Sequence, residues 1–166
     1  MGTRVRNFHA ARIVDQQRSI GYTPWPMTLK QLLAVPSHGD LEQFQRWRKS
    51  QFWDAIAQSP LRRWSPGDLL PTGPLRLLIG LAPSYSGPDI ELADFLIDNA
   101  QHRNDIQVDV FDMTDLKDMS DVERYIPGMK LAYQTPTVAF WNQGHLNQSA
   151  EGAAGRKLIR EVLIAR

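Results

Sequence analysis

The 166-residue chain contains no cysteine, which excludes disulfides, thiol nucleophiles, thiolate metal sites and iron–sulfur ligation. It has no run of about 18 apolar residues that could cross a membrane, and its N-terminus lacks the apolar stretch of a secretory signal. We therefore expect a cytoplasmic protein without a membrane partner, and any redox chemistry would need an outside cofactor. Hydrophobic residues make up 42% of the chain, which is enough for one packed domain with an extension.

Charge is distributed unevenly along the chain, although the net charge is only +1. Residues 1–74 hold ten Lys and Arg against five Asp and Glu, whereas residues 75–166 hold nine against thirteen. A basic arm can bind an acidic partner or nucleic acid, but we favour the simpler interpretation that two surfaces of one monomer attract each other.

The second half of the chain alternates between strand and helix patterns. Leu75–Leu81 is a nearly unbroken apolar run, which is typical of a strand buried on both faces. Pro88 and Asp89 suit the first turn of the helix that follows. The predicted order is βαβαββα, with a strand at 75–81, a helix at 90–100, a strand at 106–112, a short helix at 120–128, a strand at 136–141 that turns at 142–144 into an antiparallel strand, and a helix at 156–165.

Residues 1–64 predict a mostly helical, basic and Trp-rich extension. Thr28 and Asp40 are suited to cap two helices, of which the second runs to a stop before Pro60. The aromatic residues of this second helix do not share one face, which predicts either burial on more than one side or a bend in the helix. Residues 65–74 are rich in Pro and Gly, and we interpret them as a linker to a domain at 75–166.

Two segments within this order of elements carry a resemblance. They are Y-S-G-P-D at residues 85–89 and Q-T-P-T-V-A-F-W-N-Q-G at residues 134–144. Together they resemble the thioredoxin family over about residues 75–166. In that family a strand leads to W-C-G-P-C at the start of a helix, and a cis proline in a T-P-T or I-P-T tripeptide faces the dithiol. The resemblance implies a thioredoxin-like α/β fold and a cis bond between Thr135 and Pro136.

The reactive positions of the first motif depart from the family pattern. Tyr85 stands at the position of the tryptophan, Ser86 at that of the nucleophilic cysteine and Asp89 at that of the resolving cysteine. Gly80 stands where redox-active members place a buried carboxylate. Because a serine hydroxyl stays protonated here without a strong base, the resemblance implies that the fold is kept and the oxidoreductase reaction is lost.

We therefore predict a non-catalytic protein that needs no cofactor and binds an unidentified protein partner as an adaptor, chaperone or assembly factor. The family's substrate groove binds extended peptide by backbone pairing, which does not depend on sulfur. Thiol-free hydrogenase-maturation chaperones are the precedent that the resemblance suggests. We expect the extension to pack beside the domain and leave this groove open. The predicted groove residues are Tyr85, Ser86, Gly87, Pro88, Asp89, Thr135 and Pro136.

Other kinds of site are weaker alternatives. A serine hydrolase at Ser86 would need a nearby histidine; His102 and His145 are predicted at the wrong ends of their elements, and nothing supports His9 or His38. Ser86 could instead hold a glutathione thiolate, as in some glutathione transferases, but those carry a helical domain after the thioredoxin-like one. Scattered histidines predict no metal site, and the acidic segment 112–121 is more typical of a solvated loop than of a calcium site.

Nucleic acid is the weaker alternative as a partner. Basic and aromatic residues alternate in the extension, as they do in nucleic-acid binders. The simpler interpretation is that the rings pack on the core while the charged heads reach water. The candidate basic contact patch consists of Arg46, Arg48, Lys49, Arg62 and Arg63.

Overall fold

The computed structural model describes residues 27–37, 39–68, 74–118 and 134–164, together with five positions between 120 and 129. Most of the predicted short helix at 120–128 lies outside the described residues, as do residues 69–73 of the predicted linker. Among the described residues, no helix is both long and apolar enough to cross a bilayer.

The described part of the chain forms a five-stranded sheet with the order β1-β3-β2-β4-β5. Strands β1, β2 and β3 are parallel, and β4 runs antiparallel to both of its neighbours. This arrangement confirms the predicted thioredoxin-like α/β fold. The elements in chain order are α1 (Leu29–Ala34), α2 (Leu41–Ala57), β1 (Arg62–Arg63), β2 (Leu75–Leu81), α3 (Gly87–Ala100), β3 (Ile106–Asp112), a 3₁₀ turn (Met113–Asp115), β4 (Thr137–Asn142), β5 (His145–Glu151) and α4 (Gly152–Ile164).

Local side-chain chemistry sets the start of the first two helices. The Thr28 side chain accepts a hydrogen bond from the Gln31 N–H while the Gln31 side chain accepts one from the Thr28 N–H, forming a capping box. The Asp40 carboxylate accepts from the Gln43 N–H at 2.8 Å. Both predicted caps are confirmed. They could be predicted from the sequence because each involves only residues within one helical turn.

The β4–β5 hairpin closes through a two-residue turn at Gln143 and Gly144, whose φ angles are +50° and +79°. Positive φ at both central positions matches the twist of the flanking strands, which is why short hairpins favour Gly at the second position. The hairpin was predicted, but α4 begins at Gly152 rather than at residue 156. The sequence G-A-A-G gives no amphipathic pattern that would mark this earlier start.

The larger apolar core lies on one face of the sheet and includes side chains from all four described α-helices. Phe52 and Trp53 of α2 belong to it, together with Leu29 and Leu32 of α1. A smaller cluster around Trp64, on the other face, includes residues of β2, β3 and β4. The described part of the predicted extension therefore shares a continuous core with the sheet.

Strand β1 was not predicted, because two residues are too few to show an alternating pattern. Its Arg62 pairs in register with Asp109 of β3 and places the end of the predicted extension at the edge of the sheet. Asp109 is fully buried and also accepts a hydrogen bond from Nε of Arg76 at 2.6 Å. The Arg76 side chain is buried despite its charge, and this burial lowers its pKa.

Candidate functional site

The Y-S-G-P-D segment forms the tight connection between β2 and α3. The backbone N–H groups of Tyr85 and Ser86 both donate to the Ala82 carbonyl, at 3.1 and 2.9 Å. Ser86 is the N-cap of α3, since its hydroxyl oxygen accepts from the Asp89 N–H at 3.2 Å. The loop is thus closed by its own hydrogen bonds, and the Tyr85 side chain projects from it with 66% of its surface exposed.

Asp89, at the position of the resolving cysteine, is fully buried and has two fixed partners. Its carboxylate accepts from the Ala82 N–H at 2.9 Å and from Nη2 of Arg156 at 3.0 Å. The same Arg156 donates from Nη1 to the Pro88 carbonyl at 3.1 Å. The residue that replaces the thiol therefore fastens the loop to helix α4.

Gly80 has no room for the carboxylate that redox-active members carry at its position. A Cβ atom placed on Gly80 would lie 2.7 Å from Cζ of Phe111 and 3.0 Å from Cγ of Met113. The contact with Phe111 is shorter than real Cβ atoms make and that with Met113 is tighter than most, so the Phe111 ring occupies the space that a side chain would need. The packing around Gly80 therefore leaves no space for a proton-accepting side chain at this position.

The second predicted loop lies against the start of α4. The bond between Thr135 and Pro136 is cis, as the T-P-T motif predicts. The Pro136 carbonyl accepts from the Gly152 N–H at 2.9 Å, and a Cβ atom on Gly155 would lie only 3.0 Å from the same oxygen. Helix α4 can approach this closely because residue 155 is glycine.

The structure brings the two predicted loops together through one helix end. Arg156 binds Asp89 and the Pro88 carbonyl, while Gly152, one helical turn earlier, binds the Pro136 carbonyl. Both loops are therefore held by the first turns of α4. Sequence reasoning had no signal for this role of α4, because its glycines and Arg156 carry no motif.

Helices α1 and α2 add a wall beside the first loop that the sequence did not predict. A Cβ atom on Gly87 would lie 3.5 Å from Nη2 of Arg48 and 3.8 Å from Cδ2 of Leu33. Helices α1 and α2 thus lie beside the loop and reach Gly87, the first residue of α3. Burial lowers the pKa of Arg48, whose Nε has no hydrogen-bond partner.

The predicted basic patch is largely neutralised within the chain. Its ion pairs are Arg46 with Glu42, Lys49 with Asp112 and Asp115, Arg62 with Asp109, and Arg63 with Asp115. Most of these pairs join the basic first half to the acidic second half. They support the interpretation that the uneven charge reflects attraction between two surfaces of one monomer.

Lys49 has the most extensive of these contacts. Its ammonium lies 3.0 Å from a carboxylate oxygen of Asp112 and 2.7 Å from one of Asp115. Burial opposes the charged form of Lys49, but the hydrogen bonds and charges of the two carboxylates outweigh it and raise its pKa. Asp112 also accepts from Nε1 of Trp53 at 3.3 Å. Asp112, the first residue of the acidic segment 112–121, is thus buried, whereas Asp115, Lys117 and Asp118 are exposed.

The histidines weighed in the sequence analysis lie away from the two loops or outside the described residues. His102 and His145 are exposed, after the C-terminal end of α3 and at the start of β5, while His9 and His38 lie outside the described residues. Within the part of the chain that the structure describes, no group of three or more metal-ligating side chains occurs.

Comparison with known proteins shows that this chain is similar in fold to solved thioredoxin structures. No family model matches the chain, and no curated protein matches it. Similar solved structures include oxidised mitochondrial thioredoxin 3 from Saccharomyces cerevisiae, with 15% identity and a TM-score of 0.43 over 57% of this chain and 80% of that chain. Thioredoxin from Fasciola hepatica gives 16% and 0.42 over 70% and 91%, respectively. The germline-specific thioredoxin Deadhead from Drosophila melanogaster gives 18% and 0.41 over 71% and 94%.

Proposed function

We propose that this thioredoxin-fold chain, which cannot perform dithiol chemistry because it has no cysteine, binds an extended segment of a partner protein as an adaptor, chaperone or assembly factor. The binding site is the groove between the Tyr85–Asp89 loop and the Thr135–Pro136 loop. The observation that carries the proposal is the ion pair between the buried Asp89 carboxylate and Arg156. It puts a structural link where a reactive thiol would stand and keeps the loop in place.

The fixed geometry of the two loops supports a binding role. Pro88 and Pro136 each have a carbonyl that is bound by a residue of α4, at 3.1 and 2.9 Å. A groove whose walls are held in this way loses little conformational freedom when a ligand binds, which favours affinity. Backbone pairing of an extended segment needs such fixed walls and no sulfur.

Tyr85 supplies a contact of the type that dominates protein interfaces. It is one of the few large apolar or aromatic side chains that the described residues expose, and Tyr85 contributes to the closure of its loop through its backbone N–H. Tyrosine is enriched among the residues that carry most of the binding energy in interfaces.

The proposal can be tested by site-specific photocross-linking of the full chain in its own cells. A photoreactive phenylalanine analogue at Tyr85 should capture one dominant protein, and the Pro136→Ala variant should reduce that capture. The matched control is the same analogue at Ile164, which is 56% exposed at the far end of α4. Capture of the same protein from both positions, or of none from Tyr85, would contradict the proposal.

A further inference from the structure

Arg48 differs from the other members of the basic patch, because it forms no ion pair in the part of the chain that the structure describes. Its Nε is buried without a hydrogen-bond partner, and its guanidinium carbon lies 6.0 Å from the centre of the Phe44 ring. Arg46, two residues earlier on the same helix, is exposed and is paired with Glu42 at 2.8 Å. Within the basic patch, as far as the structure describes the chain, Arg48 alone carries a partly desolvated charge without a counter-ion.

The position of Arg48 connects it to the proposed groove. Its Nη2 lies beside Gly87, the residue that follows Ser86 in the Y-S-G-P-D loop. Leu33 contacts the same glycine position, and the exposed Tyr85 lies two residues before it. A segment that crosses this loop would meet a cation between apolar groups.

An unpaired and partly buried cation is unfavourable in the free protein, and an incoming carboxylate removes that disadvantage. Arginine is suited to this contact, because its planar guanidinium can bind both oxygens of a carboxylate. The acidic residue nearest in sequence to the loop, Asp89, does not compete, since it is buried and already bound by Arg156. The charge on Arg48 is thus available to a ligand.

We propose that Arg48 binds an acidic side chain of the partner's extended segment, so that the partner carries Asp or Glu beside apolar residues where it passes Gly87. This inference rests on the proposed function, because it names the chemistry of the segment that the groove receives. It assigns Arg48 to recognition of the partner, whereas Arg46, Lys49, Arg62 and Arg63 stabilise the fold through their ion pairs.

The test uses an array of acetylated and amidated eight-residue peptides built from Val, Ile, Thr and Tyr. Each peptide carries one additional polar residue, placed in turn at each position, and is made in two forms that have either Glu or Gln there. Binding to the full chain is measured by fluorescence anisotropy for wild type, Arg48→Met and the matched control Arg46→Met. In the best-bound pairs, the wild type should bind the Glu peptide roughly 10- to 100-fold more tightly than the Gln peptide. Arg48→Met should reduce this ratio to about one, and Arg46→Met should keep it.

Two further measurements separate recognition from folding. Arg48→Met retains an apolar stem and removes the unpaired charge, so its urea midpoint should equal or exceed that of the wild type. Arg48→Lys retains the charge without the planar fork and should show a reduced preference for the Glu peptide. A preference that survives in Arg48→Met, or that Arg46→Met also abolishes, would overturn the inference.

The outcomes also distinguish this inference from the proposed function. Binding that Tyr85→Ala weakens, but that is equal for Glu and Gln peptides, would overturn the role of Arg48 and leave the groove as the binding site. Failure of the wild type to bind any peptide of the array would count against both.

Discussion

Replacing Arg156 by methionine should destabilise the protein more than replacing its partner Asp89 by asparagine. The asymmetry follows from burial, because the Asp89 side chain is 0% exposed whereas that of Arg156 is 31% exposed. Arg156→Met leaves a buried carboxylate with the Ala82 N–H as its remaining strong donor. In Asp89→Asn, by contrast, the freed guanidinium can turn towards water.

The expected magnitudes follow from these surroundings. Removing one member of a buried ion pair costs about 3–5 kcal/mol, and partial exposure of Arg156 reduces this to about 3 kcal/mol for Arg156→Met. Asp89→Asn should cost about 1–2 kcal/mol, since the amide oxygen can still accept from the Ala82 N–H. The double variant should be about as stable as Asp89→Asn alone, because no buried charge is left. The coupling energy is then equal in size to the cost of Arg156→Met, about 3 kcal/mol.

Urea unfolding followed by circular dichroism gives the four free energies of the cycle. Lys157→Met is the matched control, because Lys157 forms an exposed pair with Glu161 at 3.7 Å and its loss should change stability by less than about 0.5 kcal/mol. Additive effects in the double variant, or a larger loss in Asp89→Asn than in Arg156→Met, would refute the view that this pair fastens the loop to α4.

The other predictions concern the lost reaction, its packing and the ion pairs of α2. The wild type should not reduce insulin disulfides in a turbidity assay, and Ser86→Cys with Asp89→Cys should give only weak activity, because Gly80 offers no proton acceptor; full activity would show that Gly80 is irrelevant. Gly80→Ala should lower the free energy of unfolding by about 1–3 kcal/mol, and added Phe111→Leu should recover part of the loss; no recovery would show that the Phe111 ring is not the obstacle. Lys49→Gln removes the ammonium beside the buried Asp112 carboxylate and should cost about 1–3 kcal/mol at neutral pH. The pKa of Lys49 is raised above its ordinary value of 10.5 in the folded protein. The difference in unfolding free energy between wild type and Lys49→Gln should therefore be constant from neutral pH up to about 10.5 and shrink as the pH rises through the folded-state pKa. A difference that persists above the folded-state pKa would contradict the ion-pair explanation.

Patterns that lie within a few neighbouring residues predicted much of the fold. The apolar run Leu75–Leu81 is a central strand with the predicted bounds, and the caps Thr28 and Asp40 begin their helices. The two loop motifs likewise identified the segments that meet at α4. In each of these cases the stabilising partner is within a turn, or the apolar pattern repeats along the element.

Features that depend on distant partners could not be predicted in the same way. Arg76 is buried in a strand because Asp109, 33 residues away, provides its counter-charge. Arg48 was assigned to a basic patch, but its distinguishing property is the missing counter-ion, which depends on where every acidic residue lies in space. The steric closure at Gly80 depends on Phe111 of the adjacent strand. Such properties depend on which residues meet in space, and a single sequence does not show which distant residues are in contact.

The shared core of α2 and the sheet has a consequence for synthesis of the protein on the ribosome. Helix α2 is made before β2 and β3, yet Trp53 is bound to Asp112 over a separation of 59 residues, and Lys49 to Asp115 over 66. Until β3 emerges, the apolar side of α2, including Phe52 and Trp53, has no sheet to cover it. The nascent chain must therefore carry an exposed aromatic helix through the synthesis of about 60 residues, and slow translation before residue 112 would prolong its exposure to aggregation and to general chaperones.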